Sequence, residues 1–408
     1  MEKKCRELFI KRILSVKLSV MEEKNYDFSS VGPYEGQAFE EAMERLRNYP
    51  QLINNFTDII SRHSRVVNKW KSFHSKNQLQ RSLSLVHSVD DFQKMITSDI
   101  FLNMIESSSI DQLTFGGIDA LEDRPYIYIS SHRDIVLDTA LLDLALYRSD
   151  RELCEMIIGD NLIANRFVED MFRVNGGVVT HRTLSSTSEL KEETIKMSYY
   201  VRHCIMEKKR SMWVAQKSGR SKDGIDNTNP AIIKMLYLAC REQKIDFRTF
   251  LETTPIVPVA ISYQFDPCDV TKSQSQIRKL KAEGCYNVYK KKKYEDIIDL
   301  VKGLRCWKGN IHIQVGTPLD PEKIADPREA ARECDRQIHR NFRLWDTNYY
   351  CWDRLHESRK FEKYYEDLNT KAFDKKYRGL NPQVVHNVYL QYANPVQSML
   401  NESNEESN

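Results

Sequence analysis

Glycine and proline are scarce. Among 408 residues there are 14 Gly and 12 Pro, against usual shares of about 7% and about 5%. That excludes collagen, Pro-rich linkers and Gly-rich low complexity, and it favours a chain with much helix. No run approaches the ~18 consecutive apolar residues of a membrane-spanning helix, so none is expected. Charge of one sign is not in excess: 61 Lys and Arg against 58 Asp and Glu leave +3. The nine cysteines (5, 154, 204, 240, 268, 285, 306, 334 and 351) form no CxxC pair, and no Cys/His spacing suits zinc. Odd in number, with no cleavable signal before them, they read as reduced thiols in a cytoplasm. With 41% apolar and 29% charged residues the chain is globular rather than disordered. Its length suits two to three domains of roughly 150 residues, or one large domain with extensions.

Charge is uneven along the chain. Between Lys272 and Lys293 stand eight Lys or Arg against one acid, Glu283, a local +7. Such a segment has three readings: a dock for an acidic protein, a contact with anionic lipid, or a solvated loop. The solvated loop is the commonest fate of such a run. A nucleic-acid role lacks a helix-turn-helix, RNP or zinc-finger signature, and overall charge is near neutral, so no nucleic-acid partner is expected.

Residues 1–20 put Leu8, Phe9, Ile10, Ile13 and Leu14 among six Lys and Arg. They fit either an interfacial helix on an anionic membrane or, the preferred reading, a dispensable extension ahead of a start at Met21. Residues 38–107 read as helical, with one stripe at Leu46, Leu52, Ile53, Phe56 and Ile60 and another at Phe92, Met95, Ile96 and Ile100. Asp90 and Asp91 open the second. At the other end, RNFRLWDTNYYCWDRL is dense in aromatics that suit a helical cap. The final NESNEESN reads as a disordered tail.

Between these ends the hydrophobic period alternates. YIYIS (126–130), EMIIGD (155–160), GVVT (177–180), MWVA (212–215), IVPVAISY (256–263) and NIHIQVG (310–316) read as strands, with helical stretches between, including roughly 187–209 and 230–242. The expectation is an α/β fold with a mostly parallel central sheet flanked by helices, and with helical N- and C-terminal extensions. Sites in such sheets lie on the loops at the strands' carboxyl ends.

The residues just past each strand are therefore informative. After YIYIS comes Ser131-His132-Arg133-Asp134-Ile135-Val136-Leu137-Asp138. A histidine leaving a strand with two carboxylates nearby suits a general base, since a carboxylate on one ring nitrogen fixes the tautomer while the other takes a proton. A His–Asp pair is also common as plain structure. After GVVT come His181, Arg182 and Thr183; after MWVA come Gln216, Lys217, Ser218, Gly219, Arg220, Ser221, Lys222, Asp223 and Gly224. Arg forks onto phosphate oxygens, and glycines let a backbone approach a ligand. Taken singly, each could be a solvated basic loop. There is no GxGxxG, GxxxxGK[ST], GxSxG or HExxH, so nucleotide, α/β-hydrolase and zincin readings lose their main support.

In this order, strand-SHRDIVLD, strand-THR, strand-KSGRS and IVPVAI, the blocks resemble the glycerol-3-phosphate/1-acylglycerol-3-phosphate acyltransferase superfamily, and within it a bacterial haemolysin-like branch. The likeness covers roughly 96–320, with looser likeness in YDFSSVGPYEG and LWDTNYY. It implies an N-terminal helical region at 1–95, an acyltransferase domain at 96–320, and a C-terminal helical cap at 321–408. It also implies transfer of a fatty acyl group from an acyl-ACP or acyl-CoA thioester to a hydroxyl, on a glycerol-phosphate-type or other anionic lipid acceptor. No metal and no cofactor beyond the thioester co-substrate are implied. The site would be cytoplasmic or peripheral on the inner membrane, with an acyl carrier or coenzyme A and a lipid acceptor as partners.

Carried over residue by residue, the resemblance makes His132 the base and an Asp its orienting partner. Five residues separate His132 from Asp138, where the family has four, and one separates it from Asp134. Asp138 is preferred and Asp134 is the alternative. Arg182, Lys217, Ser218, Gly219 and Arg220 fall in the substrate-binding blocks, and Pro258 would shape an acyl-chain wall. The family's third block carries a Glu before its Gly; here Lys217 and Ser218 stand there with no carboxylate. The alternative reading is a catalytically weakened lipid- or acyl-carrier-binding protein on the same fold.

Overall fold

The computed structural model describes residues 26–49, 77, 79–102, 106, 109–163, 165–181, 186–284 and 295–407. Three expectations lie outside these residues: the segment 1–20, Arg182, and Lys290–Lys293. Of the first stripe, Leu52, Ile53, Phe56 and Ile60 also lie outside them. In chain order the main elements are α1 (Gly36–Arg47), the π-helical α2 (Phe92–Leu102), β1 (Gln112–Gly116), β2 (Ile127–Ser130), α3 (Leu137–Arg148), β3 (Cys154–Gly159) and α4 (Arg166–Val174). Next come β4 (Gly177–Thr180), α5 (Thr187–Met206), β5 (Ser211–Ala215), α6 (Pro230–Glu242), α7 (Phe247–Thr253), β6 (Ile256–Tyr263), α8 (Asp269–Gly284) and α9 (Glu295–Arg305). The chain closes with β7 (Asn310–Val315), α10 (Pro327–Asn341), α11 (Asp346–Leu355), α12 (Thr370–Lys376) and α13 (Pro382–Ser407).

Seven strands form one sheet in the order β1-β7-β6-β2-β5-β3-β4. All neighbours pair in parallel except β6 with β7. The apolar runs seen in the sequence follow from burial on both faces. Alternate residues of β2 point to opposite cores: Tyr126 and Tyr128 join one apolar cluster, Ile127 and Ile129 the other. In β6, Val257, Val259 and Ile261 enter the first cluster and Ile256 the second. Strand β1 went unread because QLTFG is mostly half-buried at the sheet's edge and carries no apolar run.

Helix α3 is buried nearly all round, from Leu137 to Leu146. That encloses Asp143, whose Oδ1 accepts a hydrogen bond from Cys154 N at 2.9 Å. Burial pushes its carboxyl up from 3.8 to about 7, against the opposing effect of that bond. Between those two values the folded chain holds a proton that the unfolded chain releases, so this group's contribution to stability is full in acid and is lost as pH rises to about 7. Asp143→Asn should flatten that part of the pH–stability curve and raise the urea midpoint at pH 8. An unchanged slope between pH 4 and 7 would exclude Asp143 as its source.

The aromatic C-terminal stretch does form a helical cap. Tyr350, Phe373, Tyr377 and Tyr392 make a separate buried cluster between α11, α12 and α13. Helix α13 runs on to Ser407, and Glu402 accepts from His339 of α10 at 3.0 Å. Among the described residues no helix is long and apolar enough to cross a membrane.

Candidate active site

Strands β2 and β5 pair in parallel with Ser130 opposite Ala215. The loops after them therefore leave the same edge of the sheet side by side. Two backbone bonds tie them: Gln216 N to Ser130 O at 2.9 Å, and Ser221 N to His132 O at 2.6 Å. This register brings the first and third sequence blocks together.

The first loop is organised around Asp138, which is 1% exposed in the first turn of α3. Its Oδ2 accepts from Arg133 N at 2.6 Å and Asp134 N at 2.8 Å, and lies 3.1 Å from His132 Nδ1. Its Oδ1 accepts from the Tyr263 hydroxyl of β6 at 3.0 Å. Because the carboxylate only accepts, Nδ1 carries the proton and Nε2 is left as the basic nitrogen. The imidazole stands edge-on to Trp213, ring centres 5.7 Å apart, and the indole is itself fixed by Nε1 donating to Ser130 Oγ at 2.8 Å. His132 is thus held from behind and opens on a cleft.

Asp134 has a different task. Its Oδ1 accepts from Val136 N and Leu137 N, both at 3.0 Å, closing the turn into α3. Its Oδ2 is buried with no hydrogen-bond partner, and burial together with Asp138 raises its carboxyl above the usual range. It is not the partner of His132. The extra residue in the His-to-Asp spacing is taken up in this turn.

The cleft has a volume of about 600 Å³, its open mouth included. Ile135, Ile157, Ile158, Leu162 and Trp213 give it an apolar wall; His132, Lys217, Arg220 and Asp296 give it polar groups. Lys217 Nζ donates to Ile225 O at 2.9 Å. Arg220 Nη2 lies 2.5 Å from Asp299 Oδ2 and 4.0 Å from Asp296 Oδ1. Both carboxylates belong to α9; burial works against the guanidinium's charge, but Asp299 above all holds its proton more tightly than usual. The same helix touches the first loop: a Cβ on Gly303 would stand 2.1 Å from Asp134 Oδ2.

The structure thus brings His132, Asp138, Lys217, Gly219 and Arg220 to one place. It leaves others aside. Pro258 does not line the cleft; it lies in central β6 opposite Ile129. A proline fits there because the ladder to β7 begins only at Val259. The apolar wall comes instead from Ile135, the end of β3, Leu162 and Trp213. Ser218 is exposed and outside the cleft's lining. The basic segment is also smaller than its sequence suggests: Lys272 is buried in an ion pair with Asp266, and Arg278 pairs with Glu295 at 2.5 Å. Asp296, Asp299 and Gly303 were not anticipated, although their i, i+3, i+7 spacing places them on one helix face.

The third loop is gripped from the C-terminal cap. Pro395 lacks the N–H that would bond Gln391 O within α13. Gly224, at φ +76°, packs against that carbonyl so closely that a Cβ would lie 2.1 Å from it. Beside it Asn394 Nδ2 donates to Asp223 O at 2.7 Å. Gly224→Ala should cost about 1–3 kcal/mol through the left-handed backbone and the clash. An unfolding midpoint equal to wild type would show that this contact is not made.

Residues 112–262 match the family model described as Acyltransferase, so the stretch holding His132, the third loop and Pro258 is an acyltransferase-superfamily domain. Among solved structures, the 1-acyl-sn-glycerophosphate (LPA) acyltransferase PlsC from Thermotoga maritima is similar over 74% of this chain and 95% of its own, at 13% identity and a TM-score of 0.35. No curated protein matches the chain.

Proposed function

We propose that the chain moves a fatty acyl group from an acyl-carrier-protein or coenzyme A thioester to a hydroxyl of a glycerol-phosphate-type or other anionic lipid acceptor. The observation that carries this is the His132–Asp138 pair, with Nδ1 committed and Nε2 left basic beside the same cleft that Arg220 lines. His132 Nε2 takes the acceptor's hydroxyl proton as that oxygen attacks the thioester carbonyl. The new C–O bond forms, the C–S bond breaks, and the thiolate leaves with the proton returned by His132. Arg220 and Arg182 hold the acceptor's anionic end. Ile135, Ile157, Ile158 and Trp213 receive the acyl chain. SHRDIVLD favours the haemolysin-like branch, and work on such lipids suits a cytoplasmic protein peripheral on the inner membrane.

The test is incubation of purified protein with acyl-ACP or acyl-CoA and a panel of lysolipid acceptors, tracking free thiol and the mass of the lipid product together. One thiol per new ester is expected. Thiol without ester would mean hydrolysis only. A second reading, a binding protein, is favoured by the capture of Arg220 by Asp299; retained acyl-ACP binding with no turnover of any acceptor would establish it.

A further inference from the structure

Arg220 does not meet the cleft as an uncommitted cation. One arm of its guanidinium, Nη2, is taken by Asp299 at 2.5 Å. The other, Nη1, is buried without a hydrogen-bond partner. The side chain is 7% exposed and lines the cleft beside His132. A planar fork with one arm fixed and the other without an acceptor is ready for one further oxygen, in a direction set by the fixed arm.

Charge sharpens this. Asp299 offsets the charge of Arg220, and Asp296, 4.0 Å from Nη2, adds a second carboxylate that itself lines the cleft. An acceptor oxygen drawn to Arg220 shares the cleft with Asp296. There repulsion scales with the charge it carries and is only partly screened. A dianion meets twice the opposition of a monoanion, while the single arm gives it no second hydrogen bond in return.

We propose that α9 tunes the acceptor end of the cleft: Asp299 positions Arg220, and Asp296 selects an acceptor whose anionic group carries one negative charge, a phosphodiester or a carboxylate, over a dianionic phosphomonoester. This rests on the acyl-transfer reading above and narrows its acceptor class. It also accounts for the third block's missing carboxylate, since two carboxylates reach Arg220 from another helix.

The experiment compares wild type, Asp296→Asn and Asp299→Asn with matched lysolipids: lysophosphatidylglycerol as the phosphodiester, a lyso amino-acid lipid as the carboxylate, and 1-acylglycerol 3-phosphate as the dianion. Both kcat/KM and calorimetric binding are measured. Wild type should favour the monoanions by about tenfold at low salt, and Asp296→Asn should erase that preference. Asp299→Asn should raise acceptor KM about tenfold and leave thioester KM unchanged, a split that general loss of structure would not give. A charge preference unaltered by Asp296→Asn, or an acceptor KM unmoved by Asp299→Asn, overturns the proposal. Absence of turnover with a calorimetric preference that Asp296→Asn erases supports the selectivity and overturns the acyl-transfer reading instead. Absence of both overturns the two together.

Discussion

Asp138→Asn is expected to lower acyl transfer by about 10³–10⁴-fold, the scale seen when the carboxylate behind a catalytic histidine becomes an amide. Asp138 receives His132 Nδ1, two backbone N–H groups and the Tyr263 hydroxyl. With its oxygen in the place of Oδ2 an amide keeps the three N–H donors and turns its NH₂ to the Tyr263 hydroxyl, which can rotate to accept, but it lacks the charge that steadies an imidazolium. Turned the other way, its NH₂ faces His132 Nδ1 and the Arg133 and Asp134 N–H groups, all of which lose their acceptor. Each buried donor so orphaned costs about 1–3 kcal/mol, so a fall in unfolding midpoint should accompany the loss of rate. Kinetics and denaturation on the same preparation check both; full activity would show that Asp138 does not orient the base.

His132→Ala should show the rate effect without the stability effect. The imidazole side chain is 16% exposed at the cleft, and its one protein hydrogen bond among the described residues is to Asp138. Positioned general-base catalysis is worth about 10²–10⁴-fold, and kcat should fall by that much. The KM for the anionic acceptor should hold, since Arg220 is untouched. A fold that collapsed with the substitution would place His132 among the structural residues instead.

The first block was legible in the sequence because everything it needs is local. SHRDIVLD contains His132, the Asp138 that receives its Nδ1, and the Asp134 that turns the chain into α3. The choice between Asp134 and Asp138 was not legible from spacing alone; it is decided by which backbone amides each carboxylate reaches. The strands β2 to β6 were readable since both faces are covered, whereas β1, at the sheet's edge and with only one strand neighbour, left no apolar signature. Pro258 lies inside central β6 and outside the cleft's lining, a placement that a block's order in the chain does not specify. The α9 residues were hidden for the opposite reason: Asp296, Asp299 and Gly303 lie just beyond the basic segment and reach the site only through tertiary packing. The charge count erred likewise at Lys272, whose ammonium is buried against Asp266.

Fold and chemistry are joined at the two loops. The sheet's register sets them side by side, α9 bridges them through Asp134 and Arg220, and α13 closes over Gly224 at its own proline break. The helical cap thus bears directly on the edge that carries the candidate site.

If one imidazole nitrogen in this cleft takes the acceptor's proton, the initial rate of ester formation by His132→Gly should respond to added free imidazole. Without imidazole the rate should lie at least about a hundredfold below wild type, and it should rise with imidazole concentration as the diffusible ring occupies the space before Asp138. A His132→Gly protein that forms ester at the wild-type rate with no imidazole present would contradict that proton transfer.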